Sequence, residues 1–340
     1  MHIINKTPFQ VLALPTVCHE DKNHLLVIIK ASFEFNAGNS GVSLCDKQLD
    51  IFLEDKYWGE EGESSLRYEA DMALVKPKTD VIVNGNAYSG NKPVRALDVG
   101  IQVGSLNKVI RVFGNRYWVK SGSAYQITGP EPFEVMPMTY ENAYGGRVKD
   151  EEAGITHGDE RNPVGKGFIL PSLNRPESGL PLPNLENPAQ LITNWQHKPE
   201  PCGTGYIARS WLPRKILSGT YDEQWLQQRS PLMPEDFDIH SNNAASPGLQ
   251  AEPYLQGGEA VKLVNLSQSG PINFTLPEFR FTIESSVQNR RSQHSSVMDT
   301  LLIEPEYMRL SMVWRVSFQI HWNPAMIDWI RVTSPERNMV

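Results

Sequence analysis

From Leu25 the odd positions read Leu25, Val27, Ile29, Ala31, Phe33 and Phe35, while the even ones end in Lys30, Ser32 and Glu34. A period of two sends successive side chains to opposite faces, so this segment predicts a strand with one buried face. The pattern recurs at Leu97, Val99, Ile101 and Val103. It returns near the end, where Leu310, Met312, Trp314, Val316, Phe318 and Ile320 face one side and Ser311, Arg315, Ser317 and Gln319 the other. Shorter strands are predicted at Asp80–Val83, Val109–Phe113, Tyr117–Lys120, Val261–Leu266 and Phe279–Ile283. Gly114-Asn115, between Phe113 and Arg116, reads as a tight hairpin turn. Many short strands joined by turn chemistry predict a mainly β protein, an antiparallel sandwich or open barrel with a few short helices.

The middle of the chain breaks this pattern. Sixteen of the 25 prolines fall between Pro130 and Pro253, and proline lacks the N–H that a ladder needs. This region therefore reads as long proline-rich loops with one good helix, opened by a Thr220–Glu223 capping box and ended before Ser230-Pro231. On that helix Tyr221, Trp225 and Arg229 share a face, with the aromatic pair expected to pack onto the sheet. The simplest organisation is a single domain over residues 1–340, with a β core from 8–129 and 256–322 and a loop-rich insertion at 130–255; two side-by-side domains is the alternative. Residues 285–296 read as a polar loop.

Composition removes several function classes. With Lys plus Arg 32 against Asp plus Glu 39 the formal charge is −7, which disfavours nucleic-acid binding, since that draws on a basic stripe. Three cysteines, none in a CxxC pair, predict neither a disulfide framework nor a structural zinc site. No run approaches the roughly 18 apolar residues of a membrane span. The stretch from Phe9 to Cys18 is a poor secretory signal, because Pro15 interrupts it and only Lys6 precedes it. A cytoplasmic protein without direct membrane insertion is expected.

Catalytic signatures are sparse: HExxH, a GxSxG elbow and an EF-hand loop are absent. The segment from Gly158 to Gly167 has the wrong spacing for a phosphate loop, and Arg161-Asn162-Pro163 with Gly165 and Gly167 reads as a turn whose glycines take positive φ. His157 with Asp159 and Glu160, and Asp236 with Asp238 and His240, offer metal-ligating side chains without a second cluster of recognisable spacing. No cofactor is expected. Residues 50–71 hold eight acids and two bases, a net of −6. Glu60, Glu61 and Glu63 surround Gly59 and Gly62 as an exposed turn would. Arg67, Glu69 and Asp71 alternate with Leu66, Tyr68, Ala70 and Met72, as in a half-buried strand. A solvated face accounts for this run, a partner-docking edge is its functional reading, and a carbohydrate hydrolase using Tyr57, Trp58 and the acids is the enzymatic rival. Trp58, Trp195, Trp211 and Trp225 lie outside the predicted strand cores, as lids on the sheet or as anchors of a protein-binding surface.

A collinear series of segments resembles a known family: Ser64–Glu69, Lys76–Gly85, Arg111–Arg116, Arg161–Phe168, Leu182–Glu186, Gly219–Glu223 with Trp225, Pro234–Asp238 and Gly257–Glu259. Together they resemble the domain of unknown function 2169 of type VI secretion loci, from about Pro8 to Leu276, with a weaker match after Phe279. The resemblance implies a non-enzymatic adaptor or effector chaperone. Its partners would be a secreted toxin, through a PAAR-containing or apolar N-terminal region, and the VgrG spike. A structural component of the secretion apparatus is the further alternative. Trp58, Arg67, Tyr68, Glu69, Asp71, Trp211, Tyr221 and Trp225 are the candidate partner-binding residues, with the groove expected where the proline-rich loops meet the sheet.

Overall fold

The alternating segments form the longest strands of the computed structural model, which describes residues 1–18, 20–36, 39–150, 154–170, 175–320 and 326–334. The first half of the chain supplies β1 (His2–Asn5), β2 (Gln10–Val17), β3 (Asn23–Asn36), β4 (Asn39–Leu44), β5 (Lys56–Tyr57), β6 (Leu66–Tyr68), β7 (Thr79–Val83), β8 (Ala96–Val103) and β9 (Leu106–Phe113). The proline-rich middle contributes β10 (Leu185–Glu186), the short helices α1 (Arg214–Leu217) and α2 (Glu223–Gln228), and β11 (Gln250–Ala251). The last third adds β12 (Ala260–Val264), β13 (Ile272–Thr275), β14 (Thr282–Val287), β15 (Arg290–His294), β16 (Val297–Glu304), β17 (Arg309–Gln319) and β18 (Ile327–Thr333).

Three sheets carry the fold. The largest has seven strands in the order β11-β7-β16-β17-β3-β2, with β4 pairing the far end of β3. A five-stranded sheet runs β10-β9-β8-β12-β13, and a four-stranded one β1-β18-β14-β15. The chain is thus mainly β, and among the described residues no sheet closes into a barrel. Most pairings are antiparallel, but β7 runs parallel to β16 and β1 parallel to β18. Strands also extend beyond residues 8 and 322, since β1 and β18 pair with each other.

Strand β3 departs from the one-faced reading. Its odd residues enter the main apolar cluster. Its even residues are buried too: Leu26 and Ile28 pack with Val313, Met72 and Leu74 in a second cluster, and Lys30 and Ser32 are buried beside them. The segment after β6 covers this face, so the polar residues face protein rather than water. The same holds on β17, where Ser311 and Arg315 are buried. Arg315 pairs with the buried Asp299 and donates to the carbonyl of Asp71 at 2.6 Å.

Local signals fared unevenly. Gly114-Asn115 makes no hairpin: β9 instead pairs with β8 and β10. The glycine is needed for close approach, because a Cβ there would lie 1.8 Å from the Glu131 carbonyl oxygen. The segment 285–296 is no loop; it belongs largely to the β14–β15 hairpin, turned by Gln288 and Asn289 with φ of 48° and 63°. Its polarity follows from exposure of the edge strand β15. The cap of α2 is Asp222, whose carboxylate accepts from the Trp225 N–H at 2.8 Å. The Thr220 hydroxyl donates instead to Asp236 at 2.7 Å. No residue of α2 is buried, so Tyr221 and Trp225 do not pack it onto the sheet. Gly167 takes positive φ as expected, at 95°. Gly165 does not; a Cβ there would meet the Asn162 amide nitrogen at 2.4 Å.

Replacing Arg315 by Met should destabilise the chain by about 3–5 kcal/mol, because it leaves Asp299 buried and uncompensated. The paired change Arg315→Met with Asp299→Leu should be milder than the single one. Thermal unfolding of the three proteins checks the order.

Candidate partner-binding surface

The hairpin β5–β6 brings Trp58 and Arg67 together. Its turn is held by the Trp58 N–H donating to the Ser65 carbonyl at 3.0 Å and by the Gly59 N–H donating to the Ser64 hydroxyl at 2.9 Å. Ser65 anchors the base of the turn, donating from its N–H and hydroxyl to the two oxygens of Glu141 at 2.6 and 2.8 Å. The Asn84 amide donates to the Arg67 carbonyl at 2.6 Å and fixes β6 against the sheet.

On this frame the Arg67 guanidinium lies 4.7 Å from the ring centre of Trp58, 5.1 Å from that of Tyr68 and 5.9 Å from that of Tyr307. It donates to the Tyr307 hydroxyl at 2.9 Å. Cation–π stacking of this kind holds flat side chains in one geometry at a surface. Trp58 and Tyr307 keep 41% and 56% of their surface exposed, so large aromatics here meet solvent beside the guanidinium. Tyr307 sits on the short turn between β16 and β17, where Met308 adopts a left-handed conformation with φ 48°. Sequence reasoning missed Tyr307; the aromatic inside the charged turn Glu304-Pro305-Glu306-Tyr307 was its only signal.

The other candidate residues divide between this surface and the interior. Tyr68 is buried next to Arg67, its hydroxyl donating to Glu304 at 2.5 Å. Burial and then the Glu304 carboxylate push that phenol up to about 12. Glu69 and Asp71 are buried and lie in ion pairs rather than on a docking edge. Glu69 meets Arg214 at 2.6 Å, Arg209 at 3.2 Å and Lys76 at 3.7 Å. Lys76 also meets Asp80 at 3.0 Å. Asp80 in turn accepts from the N–H groups of Ala244 and Ala245 at 2.9 and 3.1 Å. Asp71 pairs with Lys30 at 2.8 Å. Trp211 is buried, its ring edge-on to Tyr140 at 5.5 Å. Tyr221 and Trp225 form a separate edge-to-face pair at 4.7 Å on the α2 surface.

Burial alone would push the Glu69 carboxyl up; Arg214, Lys76 and Arg209 together outweigh it and hold the group below its ordinary value. For Lys76 the sign is mirrored: burial lowers it, and Asp80 with Glu69 more than restore it. Lys30 lies below its ordinary value, since burial outweighs the pull of Asp71.

Glu60, Glu61 and Glu63 are exposed on the turn, and the Arg67 guanidinium occupies a place over the Trp58 ring. Of the residues offered as metal ligands, Asp159 pairs with Arg161, and Asp236, Asp238 and His240 are engaged locally. Asp236 accepts from the Thr220 N–H and hydroxyl, and Asp238 accepts from the His240 N–H at 2.9 Å. Among the described residues no group of three or more His, Cys, Asp or Glu is placed to hold a metal ion. His19 and His321 lie outside the described residues. The three cysteines are free and buried, and no described helix is long and apolar enough to cross a membrane.

These features define a mainly β protein that displays an exposed arginine–aromatic surface above a buried ion network. The chain belongs to the family described as an uncharacterized protein conserved in bacteria, domain of unknown function 2169, whose model matches residues 20–315. That match runs past Phe279, through β14, β15 and β16 and into β17. No curated protein and no solved structure matches the chain.

The depressed carboxyl of Glu69 predicts acid sensitivity of known sign. Its stabilisation is fully present above the unfolded-state value of about 4.3 and is lost as pH falls through the lower folded-state value. Glu69→Gln should lower stability at pH 7 by about 3–5 kcal/mol. It should also flatten the acid limb of the melting-temperature profile, measured by calorimetry from pH 7 downwards.

Proposed function

We propose that this chain is a non-enzymatic adaptor that holds a type VI secretion effector, through its PAAR-containing or N-terminal region, and promotes its loading onto the VgrG spike. The observation that carries the reading is the exposed Trp58–Arg67–Tyr307 cluster. Trp, Tyr and Arg are the residues that dominate binding energy at protein interfaces, because they bury much area with few rotatable bonds to fix. Here the guanidinium already fixes both rings, so less entropy is lost when a partner covers them. The carboxylates beneath support it as well. Glu69, Asp71, Asp80 and Asp299 each face a lysine or arginine, which suits them to holding a scaffold rather than to moving protons. The partner classes are those that the resemblance read from the sequence segments implies.

Co-purification with type VI effectors encoded beside the gene tests this. Wild type should retain a toxin's N-terminal region. Trp58→Ala, Arg67→Ala and Tyr307→Ala should each weaken the complex by about 2 kcal/mol, roughly thirtyfold in Kd. Trp225→Ala, on the separate α2 surface, should leave recovery unchanged. Equal recovery for all four variants removes this surface from the reading, and failure of the wild type with every such effector counts against the adaptor itself.

A further inference from the structure

The edge of the seven-stranded sheet is open on one side. Among the described residues β2 pairs only with β3, and its outward hydrogen-bonding groups follow from parity. The Ser32 N–H donates to Gln48 at 2.7 Å and its carbonyl accepts from the Cys45 N–H at 3.0 Å, both on the side of β2 and β4. On the opposite side the Phe35 N–H donates to Met308 at 2.9 Å and the Asn23 carbonyl accepts from the Ile320 N–H at 2.8 Å. Even residues of β3 therefore face β2. In the observed register Lys30, Ile28, Leu26 and His24 meet Gln10, Leu12, Leu14 and Thr16, which bond inward. An antiparallel residue directs its N–H and carbonyl to the same side. The N–H groups of Val11, Ala13 and Val17, with the carbonyls of those residues and of Pro15, point away from the sheet, and among the described residues none is bonded to them.

Natural sheets blunt such an edge with charge, proline or a covering element. The eight residues of β2, Gln10 to Val17, carry no charged side chain, and Pro15 is their single guard. Val11 packs against the main core and Leu12 and Leu14 against the second cluster, so the edge presents apolar flanks on both faces. Just beyond Val17 a cavity of about 330 Å³ opens among Cys18, His24, Leu74, Val75, Met233 and Ile239. Its walls are largely apolar, and it lies where the proline-rich segment meets the sheet.

We propose that the β2 edge takes an extended, uncharged strand of a partner polypeptide as an added strand of the sheet, with one large apolar side chain of that strand entering the adjoining cavity. Main-chain bonding supplies affinity in this mode and the cavity supplies selectivity. The absence of charge along β2 selects an uncharged partner, since a charge beside it would lose solvent without gaining a counter-ion. A second copy is the poorer occupant. A two-fold axis through Ala13 would set Pro15 of each chain opposite Val11 of the other and forfeit a bond twice, whereas a foreign strand meets Pro15 once. The inference rests on the adaptor reading for its partner class and names the mode of grip.

Hydrogen exchange on the full chain tests it, alone and with a capped heptapeptide that alternates threonine and valine and ends in phenylalanine. Alone, the amides of Val11, Ala13 and Val17 should exchange more than about tenfold faster than those of Leu12, Leu14 and Thr16; saturating peptide should slow them by about tenfold or more. Val17→Pro, at an exposed position, removes one outward N–H and no inward bond, so it should abolish the slowing at Val11 and Ala13 while the melting temperature barely moves. Equal exchange of the two sets in the free monomer, or no slowing with peptide, overturns the proposal. So does a chain that sediments as a dimer with these amides already protected, which assigns the edge to a second copy. Failure of the edge with effector capture intact removes this mode and leaves the adaptor reading standing. A responsive edge without effector capture does the reverse.

Discussion

Buried charge that must be neutralised in place governs this structure. Glu69, Asp71, Asp80 and Asp299 are all at most 6% exposed, and an unpaired carboxylate at such a depth is costly enough to unfold a marginal domain. Glu69 and Asp71 are met by cations from distant parts of the chain, Arg209 and Arg214 from the proline-rich middle and Lys30 on β3, while Asp80 is met by the nearby Lys76 and Asp299 by Arg315 on the neighbouring β17. The pairing is directional. It therefore fixes where the irregular middle segment lies on the sheet, a task that apolar contact alone performs loosely. Asp80 extends the same hold to the backbone by accepting from Ala244 and Ala245.

That hold has a consequence at the surface. The network ties down the chain on both sides of β6, where Tyr68 points inward to Glu304 while Arg67 surfaces between two exposed rings. The same Glu304 receives Arg309 at 2.6 Å, and Arg309 lies 5.2 Å from the Tyr307 ring. Interior pairing and the exterior aromatic cluster are thus consecutive links of one chain of contacts. A binding surface so braced pays little ordering entropy when it is covered.

Much of the sheet was legible in the sequence, because β3, β8 and β17 are long enough for a period of two to stand out. The parallel pairing of β7 with β16 was not, since it joins segments more than two hundred residues apart and leaves no local mark. Lys30, Glu69 and Asp71 read as solvated for a related reason: alternation shows which residues share a face, and only the tertiary fold decides whether that face meets water. Trp58 and Arg67 were legible as surface candidates, whereas Trp211 was not distinguishable from them until Tyr140 was seen against it. Hairpin chemistry misled at Gly114, where glycine answers a close carbonyl instead of a turn.

The claim that ion pairing clamps the middle of the chain onto the sheet is tested most directly by native-state hydrogen exchange on Asp80→Ala. The account predicts that Ala244, Ala245 and the neighbouring amides up to Leu249 lose protection while β3 and β17 keep theirs. Undiminished protection of Ala244 and Ala245, or loss of protection in all these segments together, would contradict it.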